Sequence, residues 1–461
     1  MTVGQSDSRT VGPSYRWTSG AVAEALGTRS PGALAFETVS TDTRHLTPGT
    51  LFVALKGDRF DAHTFLKDAQ ARGATAAVVR RGTPHQAGLP FFEVDDTLVA
   101  LGLLARARRR ALPAGAPVVA ITGSSGKTSA KEMIRAALSA RWKVHATTGN
   151  LNNLVGVPLT ILGAPGDAGA LVVEAGASVP GEIAKLRAII EPTIAVITNV
   201  GYAHVEGFGS LAGVMREKLA LVEGVPVAVV GTDPPELAAE ARQRTRTIVA
   251  GRAASAEVRP ESAELDDAGR PVIRWRGRTL TLPVIGLHQV ENAMIALAVA
   301  EQAGADPVAA AERLATVTLP PGRGSLVQLD GLTVIDDTYN ANPASMRAAL
   351  DFAAAYAGRH RRPLAVVVGS MLELGAESAR LHAAVADAVM AVRPAPTLVA
   401  AVGEFAPAFA RHAAALGNRI VTASDAEALG PALKTRLRGN EVVLLKASRG
   451  VALERVLRHL H

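Results

Sequence analysis

The segment PVVAITGSSGKTSA, residues 117 to 130, decides the fold. Residues 117 to 122 are mostly β-branched or apolar, which is typical of a buried strand. Gly123 and Gly126 mark a turn directly after it, and we expect a helix to begin near Ala130. A strand, a glycine turn and a helix start, in this order, form the context in which backbone N–H groups hold a phosphate group.

Side chains of the turn fit the same chemistry. Lys127 would place a positive charge at the β- and γ-phosphates of a nucleotide, and the Thr128 hydroxyl would ligate magnesium. The loop is shorter than the common form, which has a glycine where this chain has Ile121. A chance glycine-lysine-threonine turn is the alternative, and the flanking strand and helix argue against it. The predicted ATP-binding loop comprises Gly123, Ser124, Ser125, Gly126, Lys127, Thr128 and Ser129.

Short β-branched runs alternate with alanine-rich stretches of helical period from about residue 115 onward. This alternation predicts an α/β fold with a mostly parallel sheet and crossover helices. Polar alternation around Asp267-Ala268-Gly269 predicts a β-ribbon between 255 and 285. The strands predicted for the central sheet are PVVAIT (117 to 122), LVVEAG (171 to 176), IAVITNV (194 to 200) and VPVAVV (225 to 230).

Two boundaries divide the chain. A helix is predicted from Glu291 to Ala303, and TLPPGRGS (318 to 325) interrupts the helical pattern behind it. The alternation then starts again and predicts a second α/β domain with the strands LTVIDD, PLAVVVGS, TLVAAVG, RIVTAS and EVVLLKAS. The first 110 residues have shorter strands, GTLFVAL and AAVV among them. We therefore expect three domains, at residues 1–112, 113–318 and 319–461.

Composition narrows the class of protein. The 461 residues are 48% apolar and 20% charged, which is ordinary for a soluble globular protein. No apolar run reaches the ~20 residues of a membrane span, and the start, MTVGQSDSRTVGPSYRW, has no signal-peptide stretch, so we expect a cytoplasmic protein. The absence of cysteine excludes disulfides and thiolate metal sites, which points to hard cations such as magnesium.

The net charge of +7 is compatible with a nucleic-acid partner, with anionic small molecules or with an arginine-rich proteome. Aromatic residues make up only 4%, whereas base stacking would want aromatics interleaved with the basic residues. The densest basic run, Arg106 to Arg110, is predicted to be a solvated surface at a helix end or domain linker. We expect no nucleic-acid partner.

The loop TGSSGKTS (122 to 129) resembles the short phosphate loop of the Mur ligases, which folylpolyglutamate synthetases share. TGNLNNLVGVPLT (148 to 160) and DDTYNANPASM (336 to 346) are similar to segments of the dipeptide-adding branch of that family. The meso-diaminopimelate-adding branch has a DYAH-type string at the second position and a later DNPR motif, and this sequence contains neither. VGSMLELGAESARLH (368 to 382) and LLKASRGVALE (444 to 454) extend the resemblance, which covers residues 38 to 455. It implies the three-domain Mur ligase architecture, with a central parallel-sheet ATPase domain and a C-terminal Rossmann-like domain.

The resemblance implies two magnesium ions. It assigns Thr128 and Glu174 to the ion at the phosphates, and Glu174 ends a predicted strand at the sheet edge where ligands of α/β folds gather. TNVGYAHVEGFGS (198 to 210) is similar to the segment with the family's metal-binding histidine, here His204. A capping or salt-bridged Glu174 and a structural His204 are the alternatives.

Lys218 stands where the family has a lysine carbamylated by carbon dioxide, which would be the second ligand beside His204. Leu219-Ala220 follow it in place of the family's Gly-Glu. An ammonium beside magnesium would be repelled, which favours the neutral amine that reacts with carbon dioxide. The alternative is a surface lysine paired with Glu223.

Nucleotide contacts are implied by two further segments. GLHQVENA (286 to 293) resembles a helix start whose asparagine contacts adenine, and Asn292 takes that place. Arg323 resembles the arginine that enters the nucleotide site from the third domain. The family implies Asp337 near the ribose and Asn340 near the reacting centre. The catalytic residues so implied are Lys127, Glu174, His204, Lys218 and Asn340.

Substrate contacts are implied in the first half of the chain. TDTR (41 to 44) and GTLFVALKGDRFDAHTF (49 to 65) resemble the UDP-binding segment of the family. Its candidate contacts are Asp42, Arg44, Asp61 and His63, with a fold-supporting Asp/Arg pair as the alternative. Asn152 and Asn153 lie in the segment that borders the meeting point of acyl donor and acceptor. Two departures are local: Ser370 and Ala447 stand where the family usually has Asp and Gly.

Together these segments imply an ATP-dependent amide ligase of peptidoglycan synthesis, a process of cell-wall formation, cell shape and division. It would join D-alanyl-D-alanine to a UDP-linked muramoyl tripeptide through an acyl phosphate, with the protein positioning groups and neutralising charge. Domain closure would complete the site.

Several alternatives stay open at this point. A nucleotide-hydrolysing binding protein and a sister ligase for another amino acid are the rival functions. The sequence does not decide whether the tripeptide ends in lysine or diaminopimelate. It leaves the oligomeric state open, and a monomer is the expectation.

Overall fold

The computed structural model describes residues 15–57, 60–85 and 88–460. The first 14 residues, which contributed to the expectation of no signal peptide, lie outside the described residues, as do Asp58 and Arg59 of the predicted UDP segment. The described chain forms two compact units. One comprises the residues up to Ile121 with 141–177 and 181–195, and the other comprises 122–140, 178–180 and the residues from Val196 onward.

The first unit begins with a four-stranded parallel sheet, in the order Thr38–Ser40, Thr50–Val53, Ala74–Arg80, Phe91–Val94. The predicted strands in GTLFVAL and AAVV are two of these. A short antiparallel pair, Trp17–Thr18 with Ala35–Phe36, precedes the sheet. Its helices are Ser19–Leu26, Leu66–Ala71 and Thr97–Arg110, with 3-10 turns at Thr43–His45 and Ala62–Phe65. Apolar residues of the last helix pack with residues of the sheet in one core.

The same unit contains three further parallel strands, which pair side by side in the order Val118–Thr122, Ala170–Glu174, Val144–Ala146. The first two were predicted at 117–122 and 171–176, so the predictions are confirmed with small shifts at the ends. The strand Ile194–Ile197 likewise falls within the predicted 194–200. The helices Gly156–Leu162 and Glu182–Ile190 belong to this unit. Every residue from Ala170 to Glu174 is buried, as expected of a strand covered on both faces.

The basic run at the end of the helix Thr97–Arg110 is not a solvated surface, so that prediction was wrong. Arg108 is only 1% exposed, and its guanidinium donates to the carbonyls of Ala164 (3.0 Å) and Pro165 (2.8 Å). Arg109 donates to the carbonyls of Ile190 (3.1 Å) and Glu191. Ile190 and Glu191 lie at the C-terminal end of one helix, where backbone acceptors have no partner within the helix, and Ala164 and Pro165 follow the C-cap of another. Burial lowers the pKa of both guanidinium groups.

The second unit contains the helices Lys127–Leu138, Leu211–Leu219, Glu236–Arg242, His288–Gln302 and Pro307–Leu314, the short helix Val205–Phe208, and the parallel strands Val227–Val230 and Thr247–Val249. The helix predicted from Glu291 begins three residues earlier, at His288. The helix expected near Ala130 begins at Lys127, because Gly126 takes a positive φ of 78° and supplies the N-cap. The helix Pro307–Leu314 was not predicted, although Asp306 caps it and proline occupies its first turn.

The predicted ribbon between 255 and 285 is confirmed as a three-stranded antiparallel sheet. Its strands are Ser262–Leu265, Pro271–Trp275 and Arg278–Thr281. The first turn is closed by Asp266, which accepts from the backbone N–H of Arg270 (2.8 Å) and pairs with its guanidinium. Gly269 in that turn has a φ of 76°.

The C-terminal part of the second unit is a six-stranded sheet with helices on both faces. Its order is Ser325–Leu329, Leu332–Asp337, Val442–Lys446, Leu364–Val368, Leu398–Val402, Ile420–Ala423, and all pairs but the first are parallel. The five predicted strands are all present. Successive side chains of a strand point to opposite faces of the sheet, and they belong to two separate apolar cores. The main helices are Pro343–Arg359, Ser378–Ala391 and Ala426–Lys434, with short helical segments at Gly375–Glu377, Phe405–Ala408, Ala410–His412, Ala413–Leu416, Gly417–Arg419, Arg449–Val451 and Leu453–His459.

The segment that follows the strand Leu364–Val368 is anchored by a buried histidine. His382 is fully buried, and its Nε2 accepts from the backbone N–H of Met371 (2.9 Å). Nδ1 therefore carries the hydrogen and donates to the Ser378 carbonyl (2.8 Å). Burial lowers the pKa of His382, and the Ser378 carbonyl and Glu404 oppose that shift. A proton on Nε2 would break the hydrogen bond to Met371.

Among the helices of the described residues, none is long and apolar enough to cross a membrane.

Arg108→Ala should lower the free energy of unfolding by about 2–4 kcal/mol, because it leaves the Ala164 carbonyl without a donor, removes one of the two donors to the Pro165 carbonyl and opens a cavity. Arg110→Ala is the matched control: Arg110 is exposed and forms an ion pair with Glu191, so its loss should cost about 1 kcal/mol or less. Denaturant unfolding measures both. Equal midpoints for the two variants would contradict the structural role of Arg108.

Stability should fall as the pH falls below about 6.5, in part through His382. Its folded-state pKa is lowered, so the unfolded chain takes up a proton that the folded chain resists. The contribution is complete above the unfolded pKa and is lost as pH decreases through it. His145 and His288 shift in the same direction, again mainly through burial. The His382→Gln variant isolates one group: between about pH 8 and pH 5.5 its melting temperature should fall less than that of the wild type. Parallel curves would exclude His382 as a contributor.

Candidate functional site

The phosphate loop follows the strand Val118–Thr122 and runs directly into the helix Lys127–Leu138. Gly123 has a φ of 149°, and a Cβ on it would lie 2.0 Å from the Thr198 hydroxyl. Gly126 has a φ of 78°, and a Cβ there would lie 2.9 Å from the Asn292 amide oxygen. Both positions therefore require glycine, for backbone conformation and for space.

Two residues that the sequence analysis did not single out hold the loop in place. Asn199 accepts from the backbone N–H of Ser125 (2.9 Å) through its side chain and from that of Ser124 (3.0 Å) through its carbonyl. Thr198 donates its hydroxyl to the Ser125 carbonyl (2.6 Å). Two loop N–H groups are thus engaged inside the protein, so the donors for an anion are those of the helix start. The only signal for these residues was their place in the segment that carries His204.

Lys127 lies in the first turn of the helix and donates its ammonium to the Gly123 carbonyl (2.7 Å). The side chain is partly exposed, whereas Thr128 and Ser129 behind it are buried. The ammonium thus reaches across the phosphate loop to its first residue. It adds positive charge to the helix N-terminus, where the first-turn N–H groups already form the positive end of the helix dipole.

Asn292 lies against the phosphate loop, beside Gly126. The side chain is buried and donates to the Gln289 amide oxygen (2.9 Å). Its helix, His288–Gln302, packs along the helix Lys127–Leu138, and 11 of its residues are buried. A residue predicted to contact the nucleotide base is therefore held on a rigid helix next to the loop.

His204 is placed among basic groups. It precedes the short helix Val205–Phe208 with a positive φ of 57°. Burial lowers the pKa of His204, the positive charges of Lys127 and Lys218 lower it further, and Glu373 opposes them. The lowered pKa favours the neutral imidazole, the form that can ligate a metal.

Lys218 lies in the helix Leu211–Leu219 and is 1% exposed, with its ammonium 5.7 Å from the centre of the Phe208 ring. Lys218 is therefore not the surface lysine of the alternative interpretation. The prediction of a lysine at the metal site beside His204 remains compatible with this burial. A buried lysine is also the kind whose neutral form is favoured.

Glu373 is a further residue at this place that sequence reasoning missed. Its carboxylate is in ion-pair contact with Nδ1 of His204, although the two residues are far apart in sequence. In the sequence, Glu373 lies in the string MLELG, which supports the family resemblance but predicts no role for this residue.

The string DDTYNANP connects the C-terminal sheet to the phosphate loop. Asn342 accepts from the backbone N–H of Ser345 (2.8 Å), which forms a capping box at the start of the helix Pro343–Arg359. The same side chain donates to the carbonyl of Ser124 in the phosphate loop (3.4 Å). Part of the string is thus a helix cap that also contacts the nucleotide loop.

Lys446 organises the residues before this cap. Its buried ammonium donates to the Asp337 carboxylate (2.6 Å) and to the Asn340 carbonyl (3.1 Å). Asp337 and Lys446 are partners in the register of two parallel strands, which explains their proximity. The Asn340 side chain is exposed and accepts from the following N–H group. Arg323 lies over the Tyr339 ring at 3.8 Å from its centre. Arg323 thus contacts the short stretch of backbone that carries Asp337 and Asn340.

Glu174 and Asn152 meet in the first unit. Glu174 is buried at the end of its strand and accepts from the Asn152 amide (3.0 Å). Its own N–H donates to the Thr147 hydroxyl (2.9 Å). Asn153 instead caps the start of the next helix, since it accepts from the N–H groups of Val155 and Gly156.

The four predicted UDP contacts form two separate pairs. Arg44 donates twice to the Asp42 carboxylate, and these hydrogen bonds lower the pKa of Asp42 to about 2. His63 contacts Asp61 through Nδ1 (2.6 Å), and its Nε2 accepts from the Arg80 N–H (3.0 Å). Both pairs order their own turns, so the fold-supporting alternative stays open beside the binding role.

The two departures from the family pattern are accommodated locally. The hydroxyl of Ser370 accepts from the Glu404 N–H (2.9 Å). Ala447 is fully buried, and Gly369 leaves room for it: a Cβ on Gly369 would lie 2.9 Å from that of Ala447.

Family models match three parts of the chain: "Mur ligase family, catalytic domain" at residues 35–109, "Mur ligase middle domain" at 121–300, and "Mur ligase, glutamate ligase domain" at 322–449. The UDP-N-acetylmuramoyl-tripeptide--D-alanyl-D-alanine ligase of Escherichia coli (strain K12) is 38% identical over 445 residues, which covers 93% of this chain and 94% of that protein. The enzyme of the same name from Bacillus subtilis (strain 168) is 35% identical and covers 92% of each chain.

Solved structures agree with these matches. MurF from Acinetobacter baumannii superposes with a TM-score of 0.87 at 30% identity, over 97% of this chain and 99% of that one. MurF from Thermotoga maritima, in complex with ADP, has a TM-score of 0.80 at 30% identity, over 92% and 96%. The three-domain Mur ligase fold expected from the sequence is thereby confirmed. The chain belongs to the Mur ligase family and, within it, resembles MurF enzymes over almost its whole length.

Proposed function

We propose that this protein ligates D-alanyl-D-alanine to UDP-N-acetylmuramoyl-tripeptide at the expense of ATP, as a step of peptidoglycan precursor synthesis. The contact between Asn342 and the Ser124 carbonyl carries the proposal, because it brings the string typical of the dipeptide-adding branch onto the phosphate loop. The names of relatives up to 38% identical over most of the chain support the same activity. The likeness to a MurF structure in complex with ADP supports ATP as the nucleotide.

The proposed division of labour follows the three domains. Residues 1–112 bind the UDP substrate, 113–318 bind ATP, and 319–461 bind the acceptor and close over the site. Asp42, Arg44, Asp61 and His63 are the proposed UDP contacts, and Asn152 and Asn153 the proposed contacts near the acyl donor. Asn292, Arg323 and Asp337 would contact ATP.

The chemistry requires a carboxylate to become an acylating agent in water. Transfer of the γ-phosphoryl group gives an acyl phosphate, which the neutral amine of the dipeptide attacks, and phosphate leaves from the tetrahedral intermediate. Lys127 and the first-turn N–H groups hold the phosphates and neutralise their charge, while Asn340 contacts the reacting groups. Lys127 and the first-turn N–H groups belong to a helix, whereas Asn340 lies in the loop between a strand and the capped helix Pro343–Arg359. Little reorganisation of the helix groups should therefore accompany the reaction.

Thr128, Glu174, His204 and Lys218 would hold magnesium, which when bound screens the negative charges of the phosphates and the carboxylate. The described residues contain no group of three His, Asp or Glu side chains suited to a metal. The donor set therefore fits magnesium only with further oxygen atoms, from the nucleotide and from a carbamate on Lys218. The burial of Lys218 beside His204 supports that carbamate.

Further aspects of the proposal concern the cellular setting. The reaction is placed in the cytoplasm, where ATP is supplied. No nucleic-acid or membrane partner is included, and the enzyme is taken to act as a monomer. The terminal residue of the tripeptide, lysine or diaminopimelate, is left to experiment.

Lys127→Ala should leave the fold intact and reduce ligation on the order of 100-fold or more, because the glycines set the loop shape while this ammonium supplies the charge. Lys185→Ala, which removes an exposed lysine elsewhere, is the control. ATP-dependent phosphate release and the melting temperature are measured for both variants. Normal turnover by a folded Lys127→Ala protein would contradict the role of the loop.

One coupled assay tests the whole function. Phosphate release is followed with ATP and UDP-muramoyl tripeptide ending in lysine or in diaminopimelate, with D-alanyl-D-alanine, D-alanine, D-glutamate or no acceptor. We expect release only with tripeptide and acceptor, and a preference for the dipeptide on the order of 100-fold or more. Release without an acceptor would indicate an ATP-hydrolysing binding protein. Comparable rates with a single amino acid would indicate a sister ligase.

A further inference from the structure

The segment 371–380, which follows the strand Leu364–Val368 and includes the first three residues of the helix Ser378–Ala391, lies against the segment that carries His204. The Glu206 N–H donates to the Glu373 carbonyl (3.2 Å). A Cβ on Gly375 would lie 3.2 Å from Cα and 3.4 Å from Cβ of Glu206. The Arg380 guanidinium lies 5.7 Å from the centre of the Tyr202 ring. A backbone hydrogen bond, the ion pair of Glu373 with His204 and the contact of Arg380 with a ring therefore join the two segments, and Gly375 lies close to Glu206.

The two residues at the centre of this contact have strained backbones. His204 has a φ of 57° and Glu373 a φ of 63°, in the left-handed region that residues other than glycine seldom occupy. Such conformations persist only where surrounding structure holds them, and they concentrate at functional sites. Here both strained residues turn their side chains toward each other.

The base of the segment is fixed independently of this contact. The Leu372 N–H donates to the Ser448 hydroxyl (2.9 Å), and the Met371 N–H donates to His382. Ser448 in turn contacts the Ala341 carbonyl in the NANP string (3.3 Å). The position of Glu373 is thus tied to the string that the proposed function places at the acceptor.

The contact also decides which nitrogen of His204 is available. An ionised carboxylate only accepts hydrogen bonds, so the hydrogen of a neutral His204 ring lies on Nδ1, toward Glu373. Nε2 then keeps the lone pair. A carboxylate behind a metal-binding histidine commonly fixes the ring and its tautomer in this way.

We propose that Glu373 is a positioning residue, which orients His204 so that Nε2 can ligate the metal, and that docking of segment 371–380 completes this ligand. The metal site at His204 is then coupled to the part of the chain that receives the acceptor, because the same segment is tied to the NANP string. The proposal rests on the proposed function for the presence of a metal at His204.

Docking is tested by a disulfide, since the chain has no cysteine of its own. In the double variant Glu206→Cys, Gly375→Cys the two Cβ atoms would lie 3.4 Å apart, next to the lower end of the ~3.5–4.5 Å that a disulfide spans. We expect the bond to form under mild oxidation of the native protein, detected as two protected thiols and by intact mass. Each single variant and the pair Asp387→Cys, Gly375→Cys are controls. Free thiols in the oxidised, folded double variant would overturn the docking.

Orientation of His204 is tested by Mn²⁺ binding in the presence of ADP, followed by electron paramagnetic resonance. Glu373→Gln should weaken one Mn²⁺ site by about 10- to 100-fold and leave ADP affinity unchanged. Asp387→Asn is the matched control, because Asp387 is an exposed carboxylate that contacts His412 (2.9 Å) in the same domain. It should bind Mn²⁺ like the wild type.

The outcomes separate the inference from the proposed function. Unchanged or tighter Mn²⁺ binding in Glu373→Gln would overturn the positioning role, and so would Mn²⁺ binding that His204→Ala leaves unaltered. Weaker binding in Glu373→Gln, together with a wild type that ligates no dipeptide, would keep the positioning role and reject the proposed function.

Discussion

The close packing of Gly123 and Gly126 against Thr198 and Asn292 is the constraint on which the site depends. No side chain fits at either glycine, and the backbone angles there suit only glycine. Asn199 then takes up two of the loop N–H groups, so the loop has a single shape before any ligand arrives. Because Asn292 and Asn342 both contact this loop, the positions of the nucleotide and acceptor residues follow from it. The loop and the side chains around it are thus preorganised, so the groups that stabilise charge need not be rearranged during the reaction.

Local patterns in the sequence were enough to predict most of the fold. Most strands from 118 to 446 lie within or close to their predicted ranges, since β-branched runs between turns leave few alternatives. Three strands were not predicted: Val144–Ala146, Thr247–Val249 and Ser325–Leu329. Helix starts were less certain, and the helix after the phosphate loop begins at Lys127 because a left-handed Gly126 caps it. The arginine run was misjudged for a related reason: whether Arg108 is solvated depends on helix ends more than 50 residues away.

The residues of the candidate site also fall into two groups: those that a local sequence pattern predicts and those that only the tertiary structure brings to the site. Lys127, Asn292 and Asp337 lie in strings whose local form carries the signal, and the resemblance to a family located them. Glu373 and Lys446 gave no such signal, because each acts on a partner more than 100 residues away. Only the pairing of the strands Leu332–Asp337 and Val442–Lys446, or the docking of segment 371–380, brings them to the site. The sequence also contained no signal of which polar residues are buried. This matters most for Lys218, whose burial excludes the interpretation as a surface lysine.

Asn342 attaches the N-terminal end of the helix Pro343–Arg359 to the phosphate loop, so a small rotation at that end would be enlarged at the other. The cap fixes one end of the helix at the phosphate loop, and 17 residues give it a length of about 26 Å. At the other end Arg359 donates to the Leu265 carbonyl (2.8 Å), and His360 contacts the Asp267 carbonyl (2.8 Å) in the ribbon. A tilt of about 5° at the capped end would displace the far end by about 2 Å, as much as a side-chain contact can absorb. The ribbon, which contains none of the proposed site residues, is thereby joined to the phosphate loop through hydrogen bonds at both ends of one helix.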